Sequence, residues 1–313
     1  MAYIRLVLEV LKWTEPHAVL KDFALVTQVW RRACATDELW SAFCEDCEIV
    51  PDPGTVPKEA YRQGKSCKDI PVLQTTALAQ FNCRTKAIVT LIKFQQVLED
   101  VYSLAAVLLP SGSLLCCGGN CDDTALIEVS GCKISLQHMQ RPRSFHSAVH
   151  FKGTVYVFGG GENSAEKLPL CPVATLPNQQ WLTLPNMHCY RSACSPCLYR
   201  GDFYLFGGNN DRCEMFRPLT EEFTMLSLVL PENLYGCVAF QSKDGFLLLT
   251  GRYVTRWRPG EAPVIRKNPT NIPGVWTCMQ QCVYEGVVYS AEKGSIRVFD
   301  LTTQIRTVLT SLN

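Results

Sequence analysis

Cysteine is the residue whose abundance first suggests chemistry in this chain, with 17 among 313 positions. Cys44-x-x-Cys47 and Cys194-x-x-Cys197 have the spacing of half a zinc site. Neither has a second pair with a His at finger spacing. The second also falls in a strand pattern, where residues three apart point to opposite faces. Cys116 and Cys117 sit inside an apolar run and take the place of ordinary core residues. His146 and His150 lie in another strand pattern, and His188, Cys189 and Tyr190 follow one another in a loop. Copper chemistry would need such ligands to converge from separate elements. No glycine-rich phosphate loop, Ser–His–Asp arrangement or spaced carboxylate pair is present. The residues therefore predict buried thiols, no catalytic residue, no metal and no other cofactor, in a chain that is not an enzyme.

Composition narrows the classes further. The chain has 30 basic and 29 acidic residues, so it carries no electrostatic footprint for nucleic acid. No run of 18 apolar residues exists, so no membrane-spanning helix is expected. Met1 to Trp13 is interrupted by Arg5, Glu9 and Lys12 and lacks a cleavage signal. Reduced thiols in a cytoplasmic or nuclear setting follow as the expectation.

What must position the remaining polar residues is a repeat. Arg143 to Gly160 recurs, 48 residues later, as Arg191 to Gly208. Arg143 falls on Arg191, Ser144 on Ser192, Gly153 on Gly201, Tyr156 on Tyr204, and Phe158-Gly159-Gly160 on Phe206-Gly207-Gly208. Each copy reads as a strand, a turn marked by one glycine, and an apolar strand ended by a glycine pair. The turn glycine continues as Gly112, Gly153, Gly201, Gly245 and Gly286, at separations of 41, 48, 44 and 41. A second hairpin follows in each unit, for example Thr124 to Val129 with Lys133 to Gln137, and Cys213 to Pro218 with Glu222 to Leu228. Four short strands per unit of about 40 to 50 residues is the pattern of a propeller blade.

The hairpin and glycine-pair pattern, with Trp181 in the last strand of the second clear blade, resembles the kelch family of β-propellers over roughly residues 100–313. The resemblance implies a mainly β chain with a propeller at 67–313 and clear blades starting near 102, 143, 191, 234 and 275. Lys86 to Ile92 and Phe94 to Val101 read as the outer strands of a further blade whose inner strands fall within 70–85. Six blades is the preferred count, with five and a covering hairpin as the alternative.

Residues 1–66 have a helical pattern: Leu6, Val7, Val10 and Leu11 on one stripe, then Val19, Leu20, Phe23, Val26 and Trp30 after Pro16. Pro16, Leu25-Val26-Thr27-Gln28-Val29-Trp30-Arg31 and Leu39-Trp40 resemble the F-box, the small all-α module that docks on the Skp-type adaptor of cullin–RING ubiquitin ligases. The family's opening Leu-Pro is absent, and one extra residue separates Pro16 from Trp30. The resemblance implies adaptor binding through Pro16, Leu20, Val26, Trp30, Leu39 and Trp40. A helical cap packed on the propeller is the plainer reading of the same stripes.

On a propeller of this kind, the loops between blades and the loops after the glycine pairs share one face. Here they carry Arg143, Tyr190, Arg191, Asn210, Arg212, Tyr235, Tyr253 and Trp276, a composition suited to gripping a protein substrate. Because Arg143 and Arg191 recur at one repeat position, bracing of blades is an equal use for them. The combined expectation is the substrate-recognition subunit of a ligase of this class, contacting the Skp-type adaptor and cullin complex, with the substrate's identity open. A kelch scaffold without a ligase role is the alternative.

Overall fold

The computed structural model describes residues 70–74, 76–81, 88–98, 103–109, 111–170, 179–232, 237–242, 245–250, 252–267, 281–284, 287–292, 295–300 and 306–311. These fall in the second of the two units into which the chain divides, Asp69–Asn313. Pro16, Leu20, Val26, Trp30, Leu39, Trp40 and the Cys44–Cys47 pair lie outside the described residues, as do Tyr235 and Trp276.

Among the described residues every regular element is a strand, and no helix is long and apolar enough to cross a membrane. A three-stranded sheet comes first, from β1 (Ile70–Leu73), β2 (Ala77–Phe81) and β3 (Ile88–Lys93). Five four-stranded blades follow. The first is β4 (Leu104–Leu108), β5 (Leu114–Gly118), β6 (Thr124–Ile127) and β7 (Lys133–Ser135). The second is β8 (Ser147–Phe151), β9 (Thr154–Phe158), β10 (Ala165–Pro169) and β11 (Leu182–Thr183). The third is β12 (Ser195–Tyr199), β13 (Asp202–Phe206), β14 (Arg212–Arg217) and β15 (Glu222–Val229). The fourth is β16 (Val238–Ser242), β17 (Gly245–Leu249), β18 (Tyr253–Trp257) and β19 (Val264–Lys267). The fifth is β20 (Gln281–Tyr284), β21 (Val287–Glu292), β22 (Ser295–Asp300) and β23 (Arg306–Ser311). Within each blade consecutive strands pair antiparallel, and this is the blade architecture of a β-propeller. The first strands of the first four blades, β4, β8, β12 and β16, adjoin in turn, and β1 lies beside β21 of the fifth blade.

Among the described residues there are five complete blades and one three-stranded sheet, in place of the preferred six and nearer the alternative of five. The stretch read as that sheet's outer strand, Phe94 to Val101, is irregular over its described part. Phe94 and Leu98 are instead buried with Leu78, Ile92, Leu114, Cys116 and Ile127, between the three-stranded sheet and the first blade. Apolar side chains needed in the interface take priority there over a fourth ladder of hydrogen bonds.

The apolar runs of β9 and β13 are continuous because the second and third blades are covered on both faces. In β9, Val155 and Val157 face the first blade, packing with Leu115, Cys117 and Leu126. The alternate residues, Tyr156 and Phe158, face the third blade, with Phe203, Leu205 and Phe216. In β13, Phe203 and Leu205 point back toward the second blade while Tyr204 and Phe206 meet Phe246, Leu248 and Trp257 of the fourth. Strand alternation thus sorts one run of side chains into two interfaces. The aromatic contacts between blades are edge-on or tilted, with centroids 5.8 Å apart for Phe158–Phe203, 4.8 Å for Tyr204–Phe246 and 5.0 Å for Phe206–Phe246.

Lys152-Gly153 and Arg200-Gly201, all at positive φ, make two-residue hairpins of the mirror-image type that matches strand twist. Gly245 departs from the expected turn role. It pairs with Ser242 as the first residue of β17, and a Cβ there would lie 2.3 Å from the Trp257 carbonyl oxygen. Close backbone approach, not the turn, demands glycine at this position.

Gly159 and Gly153 have nearly the same φ, +73° and +72°, but a Cβ on Gly159 would lie 2.3 Å from the Arg191 carbonyl oxygen whereas one on Gly153 meets nothing within 4 Å. Gly153→Ala should therefore lose about 1–2 kcal/mol, the cost of a left-handed alanine. Gly159→Ala should lose roughly twice that or more, since backbone must also move. Urea denaturation of the two variants checks the order; equal losses would refute the close-approach account.

Candidate functional site

The loops after the glycine pairs and the loops entering each new blade interlock. Gly119 and Asn120 donate to the Arg143 carbonyl, each at 3.1 Å, and Gly160 donates to the Arg191 carbonyl at 2.9 Å. Met139 donates to Asp122 O, Met187 to Asn163 O and Leu230 to Asp211 O, each at 2.7 Å, so one frame recurs in three blades. These bonds gather both loop sets onto one face.

Beneath that face lie two buried ion pairs. The Arg143 guanidinium contacts Glu166, with Nη2 2.8 Å from Oε1, and donates to the carbonyls of Gly159 and Ser164. Arg191 repeats this with Glu214, also at 2.8 Å, and donates to the carbonyls of Gly207 and Arg212. The glutamates are shared acceptors. Glu166 also takes the Gln140 amide, and Glu214 takes the amides of His188 and Cys189 and the His188 ring Nδ1 at 3.0 Å. Arg143 is 2% exposed and Arg191 0%, so neither presents its guanidinium to a partner. Their expected use as substrate contacts is corrected to bracing, because every blade-entry loop needs its carbonyls and amides satisfied once buried.

The acid partners, Glu166 and Glu214, were missed in the sequence, although they too stand 48 residues apart and so carry the same repeat signal as the arginines. Breaking such a pair leaves an uncompensated buried charge.

Other expected contacts are placed at the surface or near it. Tyr190 is 44% exposed on the loop entering the third blade. Arg212 is exposed, and Asn210 turns its Oδ1 onto the Arg212 amide at 2.9 Å, shaping the loop after the third glycine pair. Tyr253 is half-buried at the start of β18, where its amide and carbonyl bond to Thr250. Arg252 reaches Glu232 at 2.9 Å, tying the corresponding loops of the fourth blade.

Phe145 was not foreseen as a surface residue. Its φ is +54°, a costly setting for a bulky side chain, and its repeat counterpart Ala193 has φ +58°. The reason is a chain of hydrogen bonds from blade to blade: Phe145 N donates to Ser103 O at 2.9 Å, and Ala193 N donates to Phe145 O at 2.6 Å. The ring of Phe145 is left 41% exposed.

Cys116, Cys117, Cys194, Cys197, Cys213 and Cys237 are buried and behave as core, while Cys121, Cys132 and Cys189 are partly exposed. Cys194 lies by Ser147 Oγ at 3.5 Å while Cys197 donates to Ala239 O at 3.2 Å, so the pair faces different blades, as the strand pattern implied. Burial pushes the Cys116 thiol up to about 12 and raises Cys117 still further. Cys117 Sγ meets His146 Nε2 at 3.3 Å. Burial, aided by the Arg143 charge, holds His146 down at about 3, so the ring is neutral in the folded chain.

Two curated relatives from Limulus polyphemus match a part of the chain. Beta-scruin is 32% identical over 141 residues and alpha-scruin 27% over 142, in each case 41% of this chain and 15% of the relative. The chain thus spans about 15% of the length of these relatives. No model of a known protein family matches the chain. With the blades, glycine pairs and recurrent Arg–Glu braces, the fold class is that of a β-propeller whose blades resemble those of the kelch type.

Two outcomes follow. Arg191→Ala should destabilise by about 3–5 kcal/mol, the cost of stranding a buried partner. Replacing Arg191 and Glu214 together by apolar residues should cost clearly less than the two single changes summed, in a double-mutant cycle. The second outcome concerns acid. His146 has its folded value lowered from 6.5 to about 3, so the unfolded chain binds the extra proton in that window. Its contribution to stability is complete above pH 6.5 and is lost progressively from there down to about 3. His146→Cys, the residue found at the equivalent position 194, should flatten the fall of the thermal midpoint between pH 7 and pH 5.

Proposed function

We propose that this chain recruits a protein substrate on the loop face of its propeller and is itself held by a Skp-type adaptor through residues 1–66. The observation that carries the first half is a division of labour on that face. Arg143, Arg191, Glu166 and Glu214 are buried and satisfy one another, whereas Tyr190 and Phe145 are 44% and 41% exposed and do no bracing through their rings. Exposed aromatic rings on a rigid backbone lose little entropy on contact and are the usual centres of binding energy at interfaces. Arg212 adds a cation at the same face.

The second half is supported by the resemblance of Leu25 to Arg31 and Leu39-Trp40 to the F-box. In this reading no residue of the chain does covalent chemistry, and the chain's contribution is proximity between substrate and the ligase's catalytic subunits. A scaffold that binds its partner on the same face without adaptor contact is the second reading.

The full chain co-expressed with a Skp-type adaptor should elute with it as a one-to-one complex, and Trp30→Ala with Leu39→Ala should abolish co-elution while the propeller keeps its thermal midpoint. Co-elution unchanged by the double substitution, or none in the parent chain, would leave the scaffold reading. Separately, Tyr190→Ala with Phe145→Ala should weaken capture of the substrate by tenfold or more, with adaptor binding untouched.

A further inference from the structure

The structure assigns a divalent transition-metal site, of the zinc class, to Asp122, Asp123 and His138 on the loop face of the first blade. His138 Nδ1 lies 3.1 Å from Asp123 Oδ1 and 3.5 Å from Asp122 Oδ1, and the three ligand atoms fall within 4.8 Å of one another. Zinc binds imidazole nitrogen and carboxylate oxygen at about 2.0–2.2 Å, which sets neighbouring ligands of a tetrahedron about 3.3–3.6 Å apart. One cation between the three side chains meets those lengths with small rotations, and water takes the remaining position. A plain hydrogen bond accounts for less of the geometry. One ring nitrogen carries at most one proton, which the two converging carboxylate oxygens would have to share. Among the described residues no Lys or Arg pairs with either carboxylate.

The ligands stand on a rigid frame. Met139 N donates to Asp122 O at 2.7 Å, Leu136 N to Thr124 O at 2.8 Å and Gly118 N to Asp123 O at 2.9 Å. Leu136 and Met139 are buried, so His138 is held between two anchored neighbours while its own ring points outward. The same frame recurs in the next two blades, through Met187 with Asn163 and Leu230 with Asp211. The side chains on it differ. The second blade has Asn163, Ser164 and Asn186 at the three positions, and the third has Asp211, Arg212 and Val229. Fold alone therefore does not require two carboxylates and an imidazole here; they are particular to the first blade of the three. A nitrogen ligand selects zinc-like ions over calcium or magnesium, which take oxygen sets. The Cys121 thiol, donating to Gly118 O at 3.2 Å, lies against Asp123 and puts a soft donor beside the site.

Ligand positions in the loops before β6 and after β7 explain why sequence spacing did not reveal the set: His138 follows Asp122 by 16 residues, with a whole hairpin between them.

The test uses the full chain, stripped with a chelator under reducing conditions and titrated with zinc ion alone by calorimetry. His138→Ala and Asp123→Asn are surface changes, and an unchanged thermal midpoint of the zinc-free protein confirms each fold. The parent should bind one equivalent that each variant loses or binds at least about tenfold more weakly, the scale set by losing even an outer ligand contact. Equal stoichiometry and affinity in parent and variants would overturn the site, whether zinc then goes to thiols elsewhere or is not bound at all.

Discussion

The first three blades of this propeller are joined in turn by one residue acting at both ends. The carbonyl of Arg191 accepts from Gly160 in the second blade, while its guanidinium holds Glu214, Gly207 O and Arg212 O in the third. Arg143 does the same between the first and second blades. The clamp demands glycine opposite it, because any Cβ at 159 would strike the carbonyl it binds. It also demands a carboxylate on the third strand, since a guanidinium with its donors buried is tolerable only when they are nearly all taken. Apolar burial supplies the bulk of the stability, but it is non-directional. The clamp sets the angle and register at which the aromatic layers meet.

That arrangement also explains why the loop face is available for recognition. Polar groups of the blade-entry loops are used up internally by the Arg–Glu pairs, so the loops hold their shape without help from a ligand. Rings such as Tyr190 and Phe145 then stand on backbone that is already ordered, which lowers the entropy lost on binding. The positive φ of Phe145 is tolerated because its amide and carbonyl are both engaged by neighbouring blades. Strain is stored where the inner strands are tied together, and the exposed ring is its by-product at the surface.

A repeat fold separates frame from chemistry. Asp122, Asn163 and Asp211 all offer the same backbone carbonyl to the next loop, and that shared contact constrains only the main chain. Their side chains are free to diverge from blade to blade. In the first blade they assemble an imidazole with two carboxylates; in the third they shape a turn and expose a cation. The third strand shows the converse, with Glu166 and Glu214 conserved in role between blades because their side chains are the clamp itself.

The sequence alone determined the β-propeller class, the strand order within each blade and the positions of the glycine pairs, because these rest on local pattern and on a period that any copy of the unit must obey. It also marked Arg143 and Arg191 as equivalent, and the strand alternation already argued that Cys194 and Cys197 face apart. Tertiary structure decided whether a recurring arginine is a brace or a contact, since burial depends on the neighbouring blade and not on the loop's own residues. It decided that Phe94 and Leu98 fill an interface instead of extending a strand, and that Gly245 answers a carbonyl instead of a turn. It also brought Asp122, Asp123 and His138 together. Those outcomes depend on contacts across blades and hairpins, which sequence neighbours do not encode.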